Sequence, residues 1–305
     1  MEIIVQKYKK VTDFCYELFK ISKIQLYNSK FSNKMYSNFQ KLTLLVYKQF
    51  RKFTYEELMT DLMNDSNLRE YIGLNKLMDY TTLIKFSKTL PNSILENLVD
   101  AFKQLIPSPK KIAIDATGIS LDNASAHYCK RTGLTFKKRP FMKTSFVVDI
   151  ETYIILLCRM RKRPRHDTID AKILLKKIAK NYTPTVLYAD RGYDDNEIFK
   201  ITFEELKAYP LILQKNIDVP KHRKSGIYRK MTCDIFDYGE YLQRNKIETL
   251  NSMFKKRFGS TVLSKTVKTQ KVDILTRVIA FNIDRIIKIS QQVILIFIRI
   301  TRVSY

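Results

Sequence analysis

The stretch TSFVVDIETYIILLCRM, residues 144–160, decides how the rest of the chain is read. Two runs rich in β-branched and aromatic residues, 144–150 and 153–160, flank Glu151 and Thr152, the pattern of a β-hairpin with a tight connection. Upstream, KIAIDATG (111–118) is a short strand running into a turn. Downstream, TVLYAD (185–190) is a buried strand that ends at Arg191 and Gly192, and PLILQ (210–214) is a fifth. Helical patterns lie between and after them. Asp167 is placed to cap a helix carrying Ile169, Ile173, Leu174 and Ile178. A second helix is expected from about Asp195 to Lys207, and a long third from about Glu240 to Phe258.

Three strands followed by helix, strand, helix, strand, helix predict an α/β fold: a mixed five-stranded sheet flanked by helices. That is the order of a ribonuclease-H-like core. The residues before it read as an all-helical domain. Leu42, Leu44, Leu45 and Val46 form an apolar run, and Thr54 with Glu57 forms a capping box ahead of Leu58 and Leu62. A turn near Gly73 leads to an amphipathic helix over 79–90, stopped by Pro91. The expected organisation is a helical domain over 1–105, the ribonuclease-H-like domain over 106–290 and a tail over 291–305. The pair of helices ending at Leu90 reads equally as a packing unit or as a helix-turn-helix. In the second case Thr81, Thr82, Lys85 and Lys88 would contact DNA.

Composition narrows the class. The chain has 305 residues, 45% of them hydrophobic, enough for a packed core. Lys and Arg total 55 against 30 acidic residues, a net charge of +25, which attracts polyanions and nucleic acid first among them. The amino terminus does not read as a signal peptide, and the apolar run Val293–Ile298 stops at Arg299, short of the roughly 20 residues of a membrane span. A soluble protein of the cytoplasm, associated with the nucleoid, is expected. The four cysteines and three histidines are dispersed, against a zinc site or a disulfide framework.

The acids carry the chemistry. Asp115 and Asp190 each follow an apolar strand, where a carboxylate is costly unless compensated; a hard divalent cation is one compensation. Either alone reads more readily as an N-cap or turn aspartate than as a metal ligand. On a continuous helix, Tyr241, Arg244, Glu248 and Lys255 would fall within a stripe of about 60°. Leu242, Ile247, Leu250, Met253, Phe254 and Phe258 would lie mainly opposite. His166, Lys215, the Lys221–Lys224 loop and the run Phe136, Lys137, Lys138, Arg139 are weaker candidates for the site or for DNA contact. Tyr193 and Asp194 are expected to shape the turn after Asp190.

With two, three and six intervening residues, Tyr241, Arg244, Glu248 and Lys255 resemble the Tyr-Arg-Glu-Lys signature of DDE transposases of the fourth and fifth insertion-sequence families. DATG (115–118) resembles the first aspartate motif of that family, ADRGYD (189–194) the second, and His166-Asp167 a step between them. The resemblance implies two Mg2+ or Mn2+ ions held by Asp115, Asp190 and Glu248. It implies hydrolysis at the element's ends followed by transfer of the freed 3′-hydroxyl to target DNA. It further implies double-stranded DNA as partner, with Tyr241, Arg244 and Lys255 against it, and a homodimer that pairs two ends. Two rivals stay open: a ribonuclease-H-like nuclease or resolvase that cleaves without joining, and a sequence-specific DNA-binding protein without catalysis.

Overall fold

The computed structural model describes residues 2–31, 33–121, 140–163, 165–216 and 218–303. One compact unit runs from Leu105 to Leu263, and the other combines Met1–Gln104 with Ser264–Tyr305.

The second of these is helical: α1 (Glu2–Ile21), α2 (Asn38–Arg51), α3 (Tyr55–Asn64), α4 (Ser66–Ile72), α5 (Tyr80–Thr89) and α6 (Asn92–Ala101). The predicted capping box starts α3: Glu57 N–H donates to Thr54 Oγ1 at 3.1 Å, and Thr54 N–H to Glu57 Oε2 at 2.7 Å. Leu44, Leu58, Leu62, Leu83 and Leu95 are fully buried in this unit. The segment expected to hold two helices holds three, because Asp65 accepts from Leu68 N–H at 3.0 Å and caps α4 between them.

The Leu105–Leu263 unit is built on five strands, β1 (Lys111–Ser120), β2 (Phe141–Asp149), β3 (Ile155–Arg161), β4 (Val186–Ala189) and β5 (Tyr209–Ile212), in the order β3-β2-β1-β4-β5. The first three pair antiparallel and β1-β4-β5 parallel, so the sheet is mixed as expected. The hairpin connection is wider than two residues. Asp149 accepts from Glu151 N–H at 3.0 Å and from the Thr152 hydroxyl at 2.5 Å, and Tyr153 turns through φ 61°.

Helices α7 (Asp167–Asn181), α8 (Asn196–Glu204), α9 (Ile227–Ile235), α10 (Tyr238–Tyr241) and α11 (Asn245–Phe258) follow. The N-cap of α7 is His166 and not Asp167: its Nδ1 accepts from Thr168 N–H, which leaves Asp167 as the first helical residue. The long helix predicted from Glu240 is interrupted. A 3₁₀ turn at Leu242–Arg244 separates α10 from α11, so Leu242 is exposed instead of joining the apolar side. Ile247, Leu250, Phe254 and Phe258 are buried as predicted, and Phe254 meets Phe146 of β2 with ring centroids 5.4 Å apart.

The last helix is α12 (Val267–Val303), lying where the expected organisation had the end of the sheet-bearing domain and a tail after 290. It packs with α1, α2, α5 and α6, and it runs unbroken past residue 290. The sheet-bearing unit therefore ends at Leu263, and 291–303 continue a helix of the other unit. Its long apolar face found partners far back in the sequence, which local pattern does not reveal.

Candidate active site

Strand β1 pairs with β2 over Ile112–Ser120 but with β4 only over Lys111–Ala113. Two residues past the last β4 pairing stands Asp115; one residue past the end of β4 stands Asp190. Both carboxylates thus sit where two parallel neighbours part, at their C-terminal ends. That is where open α/β sheets place ligands, because the diverging backbones leave a crevice.

Asp190 caps the short 3₁₀ turn Arg191–Tyr193, its Oδ1 accepting from Gly192 N–H at 2.7 Å. A Cβ on Gly192 would come within 3.0 Å of that oxygen, so the turn is fitted to the carboxylate. Asp115 is half-buried, and α11 lies over it. Nδ2 of Asn251, a residue 8% exposed, donates to Asp115 Oδ2 at 2.9 Å. Burial lifts the Asp115 carboxyl to about 6; the Ala116 N–H pulls it down, the charge of Asp190 pushes it up, Arg244 opposes and Asp167 adds. Burial is thus the leading cause for Asp115 and the neighbouring charge of Asp190 adds to it; a cation at this position would offset both.

The charge of Arg244 acts on both acids, while its guanidinium pairs with Glu248 of α11. Burial alone would lower its guanidinium, but the bond to Glu248, Tyr241 and the charge of Asp190 together raise it. Its Nη2 lies 2.8 Å from Glu248 Oε1, with Glu248 57% exposed. Tyr241 is buried, against Phe236 and Tyr238, with the Arg244 guanidinium 5.9 Å from its ring centre. Lys255 is half-buried in the last turn of α11.

The structure therefore brings Asp115, Asp190, Arg244 and Tyr241 to one place. It does not gather all three predicted acids: among the described residues no group of three or more His, Cys, Asp or Glu is set to hold a metal ion. Glu248 is one helical turn before Asn251 and turned to Arg244. Glu248 is itself 57% exposed, so its side of the pair is open to solvent and the carboxylate can turn from Arg244 toward a cation. The donors are all hard oxygens, of the chemistry that suits Mg2+ or Mn2+.

Residue chains 106–283 match the family model described as "Transposase DDE domain". The chain belongs to the transposase DDE-domain family. Enzymes of this DDE transposase family cut and transfer DNA strands with divalent metal ions, and the match covers the sheet, α7 to α11 and the first part of α12. Among solved structures, a piggyBac transposase synaptic complex with hairpin DNA is similar in fold, with TM-score 0.51 and 12% identity. The similarity covers 90% of this chain and 74% of that one. No curated protein matches.

The other expected site residues of this DDE-family chain are placed as follows. Thr81, Lys85 and Lys88 are exposed on α5 and Thr82 half-exposed, all in the helical unit; Thr81 gives both its N–H and its hydroxyl to Asp79. His166 serves as a cap. Lys221 pairs with Asp234, and Lys224 donates to Gln214 Oε1 at 2.8 Å, so that loop is tied locally. Tyr193 is buried, and Asp194 accepts from Lys215 N–H at 2.9 Å and Arg229 Nε at 2.8 Å, shaping the turn as expected. The patch Phe136–Arg139 lies outside the described residues. Two residues were missed. Asn251 was readable as an amide breaking the apolar spacing of Ile247, Leu250, Phe254 and Phe258. Glu240, which bonds Lys111, Tyr188 and Gln243 and ties α10 to β1 and β4, carried no comparable signal.

Proposed function

We propose that this chain is the transposase of an insertion sequence, and that it cleaves and then joins DNA strands at the element's ends. Asp115, Asp190 and Glu248 would hold two Mg2+ or Mn2+ ions. The observation that carries the reading is the half-buried Asp115 beside Asp190, its carboxyl lifted to about 6, under a helix that brings Arg244 and Glu248. When bound, divalent ions lower the pKa of water and stabilise a departing 3′-oxygen. The protein's own residues supply the rest. Asn251 fixes one oxygen of Asp115, and Gly192 N–H fixes one of Asp190, so each carboxylate keeps its second oxygen oriented. Arg244 stabilises negative charge beside Asp190, and release of Glu248 from Arg244 frees both for their tasks. Tyr241, being buried, positions Arg244 and does not stack on a base. Lys255 holds the backbone of the strand.

Thr81, Thr82, Lys85 and Lys88 of α5 would read the element's ends, a homodimer would pair two of them, and the protein would work at the nucleoid. No helix among the described residues is long and apolar enough to cross a membrane. The test is incubation with duplex DNA carrying both element ends, with and without Mg2+. Metal-dependent cleavage followed by joined products is expected. Glu248→Gln should lose cleavage by at least a hundredfold while binding DNA as before. Cleavage at the unaltered rate by Glu248→Gln rejects the assignment, cleavage without joining returns a nuclease, and binding without cleavage returns a DNA-binding protein.

A further inference from the structure

Strand β3 is an edge of the sheet and ends in the run RMRKRPR, residues 159–165. Arg159 and Arg161 are two residues apart, so their side chains leave the same face. By register they stand opposite Ser145 and Lys143, on the face away from the one that Asp115 shares with Phe146. Both reach a single oxygen: Nε of Arg159 lies 2.7 Å, and Nε of Arg161 2.6 Å, from Oδ1 of Asp170 on α7. Asp170 is 1% exposed, whereas Arg159 is 34% and Arg161 21% exposed.

This is an unequal cluster. One carboxylate faces two guanidiniums, and the neighbouring Lys143 is already matched by Asp167. Each arginine is pinned through Nε alone, which leaves its paired Nη groups without a hydrogen-bond partner among the described residues. Two guanidiniums held to one oxygen lie side by side with their rotamers fixed, so the entropy of ordering them is spent before any ligand arrives. A fork of parallel N–H donors matches the oxygens of a phosphate. Lys162, Arg163 and Arg165 are exposed directly beyond it and continue the positive charge.

We infer that Arg159 and Arg161, oriented by Asp170, form a two-guanidinium clamp for a phosphodiester of bound DNA, prolonged by the basic run through Arg165. The inference rests on the transposase reading only in taking DNA as the polyanion.

The test is fluorescence anisotropy of a labelled duplex titrated with the full chain at several salt concentrations. Arg159→Gln and Arg161→Gln each leave the other arginine on Asp170, and melting temperature verifies that they fold. Each is expected to weaken binding about tenfold. The double variant should lower the slope of log K against log salt by about one, the count of one phosphate. Arg159→Lys and Arg161→Lys keep the charge but not the fork: they should keep the slope and still lose affinity. Folded Gln variants that bind like the unaltered chain overturn the clamp, and Lys variants of unaltered affinity reduce it to diffuse charge. Because the readout is binding, it can fail while Glu248→Gln still separates cleavage from binding, so the two readings stand or fall separately.

Discussion

Asn251 occupies a position that helical spacing assigns to the core, yet it spends its amide on a carboxylate. Its Nδ2 holds Asp115 Oδ2, and its own Oδ1 is buried with no partner. An unsatisfied buried oxygen costs free energy, so the residue serves something other than packing. A hydrogen bond to a charged acceptor contributes about 1.5–3 kcal/mol, and about 1.4 kcal/mol is tenfold in rate. Asn251→Ala is therefore expected to slow single-turnover cleavage about tenfold with DNA affinity unchanged. Equal losses of rate and affinity, together with a lower melting temperature, would mark the amide as merely structural. At this scale residue type and position on a strand pointed to Asp115 and Asp190, which stand at the C-terminal ends of neighbouring parallel strands, whereas Glu248, expected beside them, pairs with Arg244 instead. The sequence was illegible where two groups choose partners through space. No linear pattern tells that Glu248 turns to Arg244 while Asn251, one turn on, turns to Asp115.

Elements show the same division between local and distant causes. The strands were readable because burial on both faces demands apolar runs, and the hairpin because its turn lies between two of them. The break between α10 and α11 was not: an apolar period continues across a 3₁₀ turn, and only the exposure of Leu242 betrays the changed phase. Helix α8 begins at a cap whose strength can be measured. Asp195 Oδ1 accepts from Glu197 N–H at 2.9 Å, and its Oδ2 lies 3.2 Å from Lys172 of α7, which also pairs with Glu197 at 2.7 Å. Burial alone would raise the Asp195 carboxyl, but the Lys172 bond and the Glu197 N–H outweigh it and hold the group below its ordinary range. A depressed folded-state pKa stabilises the fold above the unfolded value and ceases to do so as pH falls through the folded one. Asp195→Ala should cost about 1 kcal/mol at pH 7. That difference should shrink below about pH 4, the ordinary aspartate range. Urea denaturation at pH 7 and pH 3 reads it, and a difference that grows toward low pH contradicts the cap and ion pair as its source.

For the whole molecule, the net charge of +25 was read directly and directs attention to nucleic acid, but the return of the last helix to the N-terminal unit was not readable. A sequence scan follows the chain in order, whereas α12 returns to α1, α2, α5 and α6, which lie on the far side of the whole sheet-bearing unit in the sequence. The consequence is energetic. Ile274, Leu275, Val278, Ile279 and Ile283 of α12 are each no more than 1% exposed, with Val272 and Phe281 at 3%. Gln49 of α2 donates to Asp273 Oδ1 at 2.9 Å and to Thr276 Oγ1 at 3.1 Å, a polar network inside the same contact. Burial of a large apolar side chain contributes about 1.5–3 kcal/mol, so these seven together rival the roughly 5–15 kcal/mol that holds a domain folded. A chain ending at Leu263 should therefore keep its five strands yet lose the fold of residues 1–104. Limited proteolysis with mass spectrometry is expected to show cleavage throughout α1 to α6 in that truncated chain at protease levels the full chain resists. A chain ending at residue 290 retains all seven side chains and should stay protected. If the shorter chain resisted cleavage as the full one does, α12 would not be part of the helical core.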